Sequence, residues 1–323
     1  MKDSQTNSSG ASGLIERVRY LFDLFRMRWS GRKTFDNQQK LDLVEEYVAI
    51  AAKHGIDLRQ SQILEIGVGQ RPYLGVTLYG LGYDYRGVDM DVTFFPPSIS
   101  KIKRLYNANG ALRLLKTLVR YYLFDRSEYQ KLFTSLGVKP NQIERSKIFV
   151  QANAAHVDWN NLLADASGSV NSSPLVVVSE SVFEHIPFAD LGLILHNLKS
   201  FALSSRRKLL LLTRPTIYTG ICGSHLTEWY HHAVYSHTPK RSQPWEHLRL
   251  NRYVADTYLN KLSLAQYRDL FTSCGYCIAE ESVMHPGLGA EFLRNPQIRQ
   301  ELADWPDEEL LSNDVMFECL PID

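Results

Sequence analysis

The chain has 323 residues, of which 44% are hydrophobic and 22% charged, a composition that excludes a mainly disordered, fibrous or collagen-like protein. Thirty-six basic residues balance 35 acidic ones, so the net charge of +1 provides no overall basic field for non-specific nucleic-acid binding. Four cysteines are too few for a disulfide scaffold, and no uncharged apolar run approaches the roughly 20 residues that span a bilayer. We therefore expect a soluble, cytoplasmic protein.

The first 57 residues divide into two predicted parts. Residues 1–13 are polar and lack an apolar signal core, which predicts a disordered leader. Residues 14–57 are predicted to form a helical cover: apolar side chains recur at helical spacing from Leu14 to Trp29 among arginines, and a second helix follows from Gln38 to about His54. Packing over the substrate cleft is favoured for the first helix, and contact with an anionic membrane surface is the alternative.

From residue 58 to 323 the pattern changes to short β-rich runs separated by helical stretches, which is typical of a parallel sheet. The predicted strands are Ile63–Gly67, Tyr85–Val88, Lys147–Val150, Pro174–Val178, Lys208–Leu212, Tyr276–Glu281 and Val315–Cys319. Small or polar residues follow the runs, and ligands of open α/β sheets bind at the carboxyl ends of the strands. We therefore expect one α/β domain with its site at that edge.

Two intervals are too long to be simple crossovers, and both are predicted insertions. The first covers about 92–145 and has no acidic residue from Val92 through Phe124, but six basic ones. Apolar residues in it recur at helical spacing, at Leu112, Leu115, Val119, Tyr122 and Leu123. This predicts a basic helix over the sheet edge that is either solvated or faces an anion or a membrane.

The second insertion covers about 214–260 and contains five of the ten histidines, together with Trp229 and Trp245. Because it follows the fifth strand, we expect it to fold over the carboxyl edge as an acceptor-binding cap, the alternative being a surface insertion. His231 and His232 are adjacent and cannot easily supply two ligands from one helix face, so no zinc site is expected here.

The clearest chemical signal is the turn after the first strand. Gly67 and Gly69 allow backbone to approach a ligand closely, and Asp89, at the end of the second strand, can accept hydrogen bonds from both hydroxyls of a ribose. The third glycine of a dinucleotide-binding turn is missing, because Gln70, Arg71 and Pro72 follow Gly69. The spacing therefore favours a nucleoside ligand over a dinucleotide.

These segments resemble, in order, the motifs of the class I S-adenosylmethionine-dependent methyltransferases. Glu65 to Gly69 resembles the first motif, Gly87 to Asp91 the second, and Val150 to Ala154 the segment after the third strand. The run Val176 to Pro187, VVVSESVFEHIP, is similar to the fourth-strand motif of the branch with "EH" after this strand. The family usually has glycine in place of Arg71 and Asp in place of Asn153.

The resemblance implies a Rossmann-like, seven-stranded, mostly parallel sheet with helices on both faces and strand order 3-2-1-4-5-7-6. It implies S-adenosyl-L-methionine as the cofactor, with Asp89 on the ribose and the Asn153 amide oxygen on the adenine amino group. The residues expected to bind the cofactor are Glu65, Gly67, Gly69, Asp89, Met90, Asn153, Ala154 and Ser179.

The expected activity is methyl transfer to a small-molecule acceptor, with a hydroxyl oxygen favoured. His185 is the candidate base because its unperturbed pKa lies near neutrality, and His225 in the second insertion is the other candidate. A catalytically silent S-adenosylmethionine-binding partner protein and an RNA or other nucleic-acid methyltransferase that uses the basic insert remain the alternatives. DNA is not an expected partner.

A metal hypothesis attaches to the same motif. Glu180, Glu184 and His185 have a spacing similar to that with which some quinone O-methyltransferases bind a divalent ion. We expect no metal, and favour Glu184 as a helix N-terminal acid or a hydrogen-bonding partner. The C-x-x-C pair Cys274 and Cys277 has no second pair nearby, so ordinary packing is expected there.

Overall fold

A computed structural model of the protein describes residues 37–95, 97–164, 172–236, 239–251 and 258–322. The predicted leader and first helix lie outside the described residues. A single seven-stranded sheet has the order β3-β2-β1-β4-β5-β7-β6. Its strands are β1 (Gln62–Ile66), β2 (Asp84–Asp89), β3 (Phe149–Gln151), β4 (Leu175–Glu180), β5 (Leu209–Arg214), β6 (Tyr276–Val283) and β7 (Val315–Pro321).

The pairing is parallel from β3 through β5, and β7 runs antiparallel to both of its neighbours. The seven predicted strands and the expected strand order are therefore confirmed. The helices are α1 (Asn37–Lys53), α2 (Tyr73–Gly80), α3 (Ile99–Arg120), α4 (Arg126–Leu136), α5 (Pro140–Ser146), α6 (Trp159–Leu163), α7 (Phe188–Ser204), α8 (His231–Tyr235), α9 (Glu246–Arg249), α10 (Leu264–Ser273), α11 (Pro296–Glu301) and α12 (Asp307–Leu311).

The central strands are apolar on both faces because helices cover both faces. One apolar cluster joins the sheet to α6, α7 and α10, and the other joins it to α1, α2 and α4. In β4, alternate valines enter opposite clusters, Val177 the first and Val176 the second. A strand buried in this way reads as a continuous hydrophobic run instead of an alternating one.

Helix α3 occupies the first of the two long intervals. It begins after Ser98, whose hydroxyl accepts a hydrogen bond from the Lys101 amide, and it is interrupted at Gly110, which has φ +76°. Arg113 reaches back to the Asp91 carboxylate at 3.0 Å, so α3 lies beside the carboxyl end of β2. No helix among the described residues is long and apolar enough to cross a membrane.

A third apolar cluster joins the segment after β5 to the connection between β6 and β7. Trp229 and Trp245 are buried in it against Leu288, Leu302 and Leu310. We call these two segments the cap. The described residues of the first are 215–236 and 239–251, and the second is 284–314. The boundary at residue 57 between a helical cover and a methyltransferase domain stays a prediction, and Tyr47 of α1 shares one core cluster with Ile63 of β1.

Candidate active site

The turn after β1 is tightly enclosed. Gly67 has φ +87° and Gly69 has φ +68°, values that residues with a side chain rarely adopt. A Cβ on Gly67 would come within 2.3 Å of the Val182 side chain, so the turn passes directly against the segment that follows β4. The close approach explains why glycine is needed at this position and brings the first and fourth strand ends together.

Asp89 is fixed by backbone amides. Its Oδ2 accepts from the Gly69 N–H at 2.6 Å and its Oδ1 from the Asp91 N–H at 2.6 Å. Burial raises the pKa of this carboxyl, and the two N–H donors act in the opposite direction. Each oxygen keeps a second lone pair, so the Asp89 carboxylate can still accept hydrogen bonds from two ligand hydroxyls.

The other predicted adenosine contacts surround the same end of the sheet. Met90 is 68% exposed, and its carbonyl accepts from the Gln151 side chain at 3.0 Å. The Asn153 Oδ1 accepts from the Ala155 amide at 2.9 Å, while Ala154 is buried in the core. One lone pair of the Asn153 oxygen is thus used by its own turn, and the second is the one that an adenine amino group could use.

Two of the predicted cofactor residues direct their side chains into the sheet. The Ser179 hydroxyl donates to the Ile66 carbonyl at 3.0 Å and so links β4 to β1, and the side chain is buried. Glu65 accepts from the Tyr85 hydroxyl at 2.5 Å, and burial raises its pKa to about 7. Their predicted contact with the cofactor stays a prediction.

Helix α1 reaches the same edge through contacts that the sequence analysis missed. The Tyr47 hydroxyl donates to Glu180 Oε1 at 2.5 Å, and Arg214 at the end of β5 contacts both Glu46 at 2.8 Å and Glu180 at 3.5 Å. Glu180 is therefore engaged with α1 and β5. An α1 position at helical spacing carries no sign of a partner more than a hundred residues away, so only the fold identifies this link.

The structure brings together a different set, which we call the Glu184 cluster: Glu184, His185 and His225. His185 follows Glu184 in a short turn, and His225, with φ +56°, reaches the same point from the cap. The Nε2 atoms of both histidines lie 4.0 Å from Glu184 Oε1, and the two rings are 5.0 Å apart. Both predicted catalytic histidines therefore lie side by side.

His185 is oriented by the backbone. Its Nδ1 lies 2.9 Å from the Tyr258 carbonyl oxygen, which can only accept, so Nδ1 carries the hydrogen. In the neutral ring Nε2 is then the unprotonated nitrogen, and this is the atom near Glu184. The Asn260 side chain donates to the Phe183 and Ile186 carbonyls and holds the turn itself.

Burial makes the Glu184 cluster neutral at neutral pH. Glu184 is 3% exposed, and neither carboxylate oxygen accepts a well-formed hydrogen bond from the part of the chain that the structure describes. Burial raises its pKa to about 8, although nearby groups of Thr216 and its own backbone lower it somewhat. Burial, with His185 and His247, lowers the His225 pKa to about 4, and burial also lowers that of His185.

The His225 Nε2 is also buried without a hydrogen-bond partner among the described residues. Buried polar atoms are nearly always satisfied, so unpartnered acid and imidazole atoms at one point indicate a ligand site. The ligand atoms of the three residues all lie within 4.8 Å of one another, a spacing suited to a polar acceptor group or to a divalent ion.

Other cap residues have different surroundings. The His247 Nε2 lies 2.8 Å from the Tyr218 carbonyl, and Trp229 donates to the Ser242 hydroxyl at 2.8 Å. His231, at the start of α8, stacks on His285 at 4.3 Å, and with Asp314 these form a second group whose ligand atoms lie within 4.8 Å of one another. Sequence spacing could not reveal this group because His231 follows β5, whereas His285 and Asp314 lie at opposite ends of the connection between β6 and β7.

No family model and no curated protein matches this sequence. Among solved structures, the chain is similar to magnesium protoporphyrin IX methyltransferase from Synechocystis with bound SAH, at 14% identity and a TM-score of 0.39, covering 87% of this chain and 82% of the other. It is also similar to the methyltransferase domain of a bacterial Hen1, at 12% identity and TM-score 0.40, covering 88% and 99%. A third is the cyclopropane synthase MmaA2 from Mycobacterium tuberculosis, at 12% identity and TM-score 0.39, covering 86% and 83%. At these scores the fold assignment depends on the observed sheet order.

Proposed function

We propose that this protein transfers the methyl group of S-adenosyl-L-methionine to a hydroxyl oxygen of a small-molecule acceptor. The observation that carries the proposal is the Glu184 cluster, in which both Glu184 carboxylate oxygens and the His225 Nε2 are buried without a hydrogen-bond partner among the described residues, at the same sheet edge as the Gly67 to Gly69 turn and Asp89. The contact of Gly67 with Val182 places the two groups on adjoining segments, because Val182 precedes Glu184 by two residues.

Binding of the methyl donor is supported by the Gly67 to Gly69 turn and by the residues at the ends of β2 and β3. Asp89 would accept from the two ribose hydroxyls, exposed Met90 would pack on the adenine ring, and Asn153 would accept from the adenine amino group. The sulfonium is an activated methyl donor, so the protein mainly has to hold the acceptor in line with the methyl–sulfur bond.

The proposed handling of the acceptor is supported by the protonation states of the Glu184 cluster. At neutral pH the Glu184 carboxyl keeps its proton and both imidazoles are neutral. As the acceptor oxygen bonds to the methyl carbon, the methyl–sulfur bond would break with its electron pair left on sulfur, and the acceptor hydroxyl would lose its proton. His185 Nε2, oriented through the Tyr258 carbonyl, would take that proton. His225 and the Glu184 carboxyl would position the acceptor oxygen by hydrogen bonds.

The same three side chains also fit a divalent ion, with two imidazole nitrogens and one carboxylate as ligands. Bound there, an ion would supply Lewis-acid chemistry that lowers the pKa of an acceptor hydroxyl. The chain's own part would be unchanged: the Tyr258 carbonyl would still fix which His185 nitrogen faces the cluster.

The test combines calorimetry with a transfer screen. We expect wild-type protein to bind S-adenosylmethionine, and Asp89→Ala to lose about tenfold or more in affinity, because charge-assisted hydrogen bonds to the ribose are removed. Asp84→Ala, at the exposed start of the same strand, is the matched control. Wild-type protein that does not bind the donor would refute the proposal.

Labelled donor offered with cell extracts fractionated by polarity should then transfer label to one fraction of small molecules. Donor binding without transfer to any fraction would favour the catalytically silent binding protein, and label in RNA would favour the nucleic-acid alternative.

A further inference from the structure

Helix α3 and the π-helical turn that follows it, Tyr121–Asp125, expose a row of large apolar side chains. We call this row the α3 stripe. Its members and their exposed fractions are Leu112 (66%), Leu115 (58%), Val119 (46%), Tyr122 (62%) and Leu123 (52%). Their spacing of three and four residues places them on one side of the helix. An exposed apolar row of this size is unusual for a solvated surface and indicates an interaction site.

The core does not account for the α3 stripe, because α3 already buries another face. Thr117 and Tyr121 are buried, and Leu114 and Leu118 pack on the same core cluster as Tyr129. A helix that covers a sheet needs one apolar face, with polar residues on the other. α3 has two, and the outer one remains exposed.

The charge around the α3 stripe identifies the kind of partner. Residues 92–124 contain six basic residues and no acidic one. Arg113 and Arg120 pair with Asp91 and Asp125. Beside the stripe, Arg126 is exposed and Lys116 half-buried, and exposed Lys103 and Arg104 lie on the same helix before the interruption at Gly110. A second copy of this chain would place like charges against each other, whereas an anionic lipid surface is complementary to an apolar row with basic flanks.

We propose that the α3 stripe inserts into the headgroup region of an anionic membrane while its basic neighbours contact the lipid phosphates. The helix is joined to the donor end of the sheet, because Asn109 contacts Asp91 at 2.8 Å and Thr117 contacts Gln70 at 3.2 Å. Membrane docking therefore holds the turn at Gly69 and the Asp89 carboxylate close to the lipid surface.

The test is co-sedimentation of the full chain with vesicles of phosphatidylcholine, alone or mixed with phosphatidylserine. We expect binding to the mixed vesicles, weaker binding to pure phosphatidylcholine, and release at high salt. The partitioning of the double variant Leu115→Ser/Val119→Ser into the mixed vesicles should fall by about tenfold or more, because two inserted apolar side chains are lost. Leu203→Ser, at a 48% exposed leucine in α7, is the matched control and should bind like wild type.

Equal vesicle binding by the double variant and wild type would overturn the proposal, as would failure of wild type to bind the mixed vesicles. Light scattering without lipid adds an independent outcome: a wild-type dimer that the double variant dissociates would assign the α3 stripe to a second copy instead. Donor calorimetry on the same samples separates the two proposals, because vesicle binding is measured without S-adenosylmethionine. Failure of donor binding alone would count only against the proposed function.

Discussion

Replacement of Glu184 by glutamine should change how stability depends on pH. In the unfolded chain this carboxyl has an ordinary pKa of 4.5, whereas burial in the folded protein raises the pKa to about 8. The unfolded state therefore loses its proton first as pH rises. The contribution of Glu184 to stability is fully present below pH 4.5, and it is lost progressively as pH rises to about 8.

Linkage gives the magnitude. Between pH 5 and pH 7 wild type should lose about 2–3 kcal/mol of unfolding free energy through this one group, and further loss should continue to about pH 8. Glu184→Gln cannot titrate, so this part of the pH dependence should disappear. The buried amide adds a cost of its own, but that cost does not vary with pH, and the slope is therefore the diagnostic quantity.

The measurement is urea unfolding of wild type, Glu184→Gln and the control Glu45→Gln at several pH values from 5 to 8.5, with Glu45 chosen because it is exposed on α1. The difference between wild type and Glu184→Gln should change steadily across this range, while Glu45→Gln should follow wild type. Parallel pH profiles for all three proteins would refute the reasoning that Glu184 is buried without compensation.

Three further predictions concern the turn and the Glu184 cluster. Gly67→Ala should lower the melting temperature and the donor affinity, because φ of this residue is positive and the new Cβ would meet Val182. Gly82→Ala is the control, since Gly82 also has a positive φ but open space around it. Equal effects of the two variants would contradict the close approach of Gly67 to Val182. His225→Ala should lower kcat/KM for the acceptor that the screen identifies and should preserve donor affinity measured by calorimetry. His196→Ala, at an exposed histidine, is the control. A loss of donor binding equal to the loss of kcat/KM would place His225 in the cofactor site or the core. Chelation with EDTA should leave turnover intact if the cluster acts by proton transfer, and abolition reversed by Mn²⁺ would assign the cluster to an ion.

The fold could be predicted from the sequence because its signals are local. Runs such as Leu175–Glu180 and Leu209–Arg214 are continuous and β-rich, and each is buried throughout except for its last residue. The glycine turn and Asp89 could be found for the same reason, since a turn of glycines and an acid twenty residues later form a pattern along the chain. The bonds from Gly69 and Asp91 to Asp89 give that pattern its geometry.

Contacts between distant segments could not be predicted. Glu180 was grouped with Glu184 and His185 on spacing alone, yet its side chain bonds to Tyr47 and lies near Arg214. Burial of Trp229 in the cap likewise depends on Leu288 and Leu302, which belong to the connection between β6 and β7. Spacing cannot specify such partners, because tertiary packing decides them after the chain has folded back.

The division of the Glu184 cluster between two segments has a consequence for specificity. Glu184 and His185 are fixed to the end of β4, where Asn260 and the Tyr258 carbonyl hold them, whereas His225 belongs to the cap and its separate apolar core. The donor turn is fixed by β1 and β2 through Asp89. A change in the cap can therefore alter the surroundings of the acceptor without altering the backbone that would hold S-adenosylmethionine. Because the proposed base lies on the sheet and its neighbour on the cap, the proposed function would join acceptor selection and proton transfer at one point, with each set by a different part of the chain.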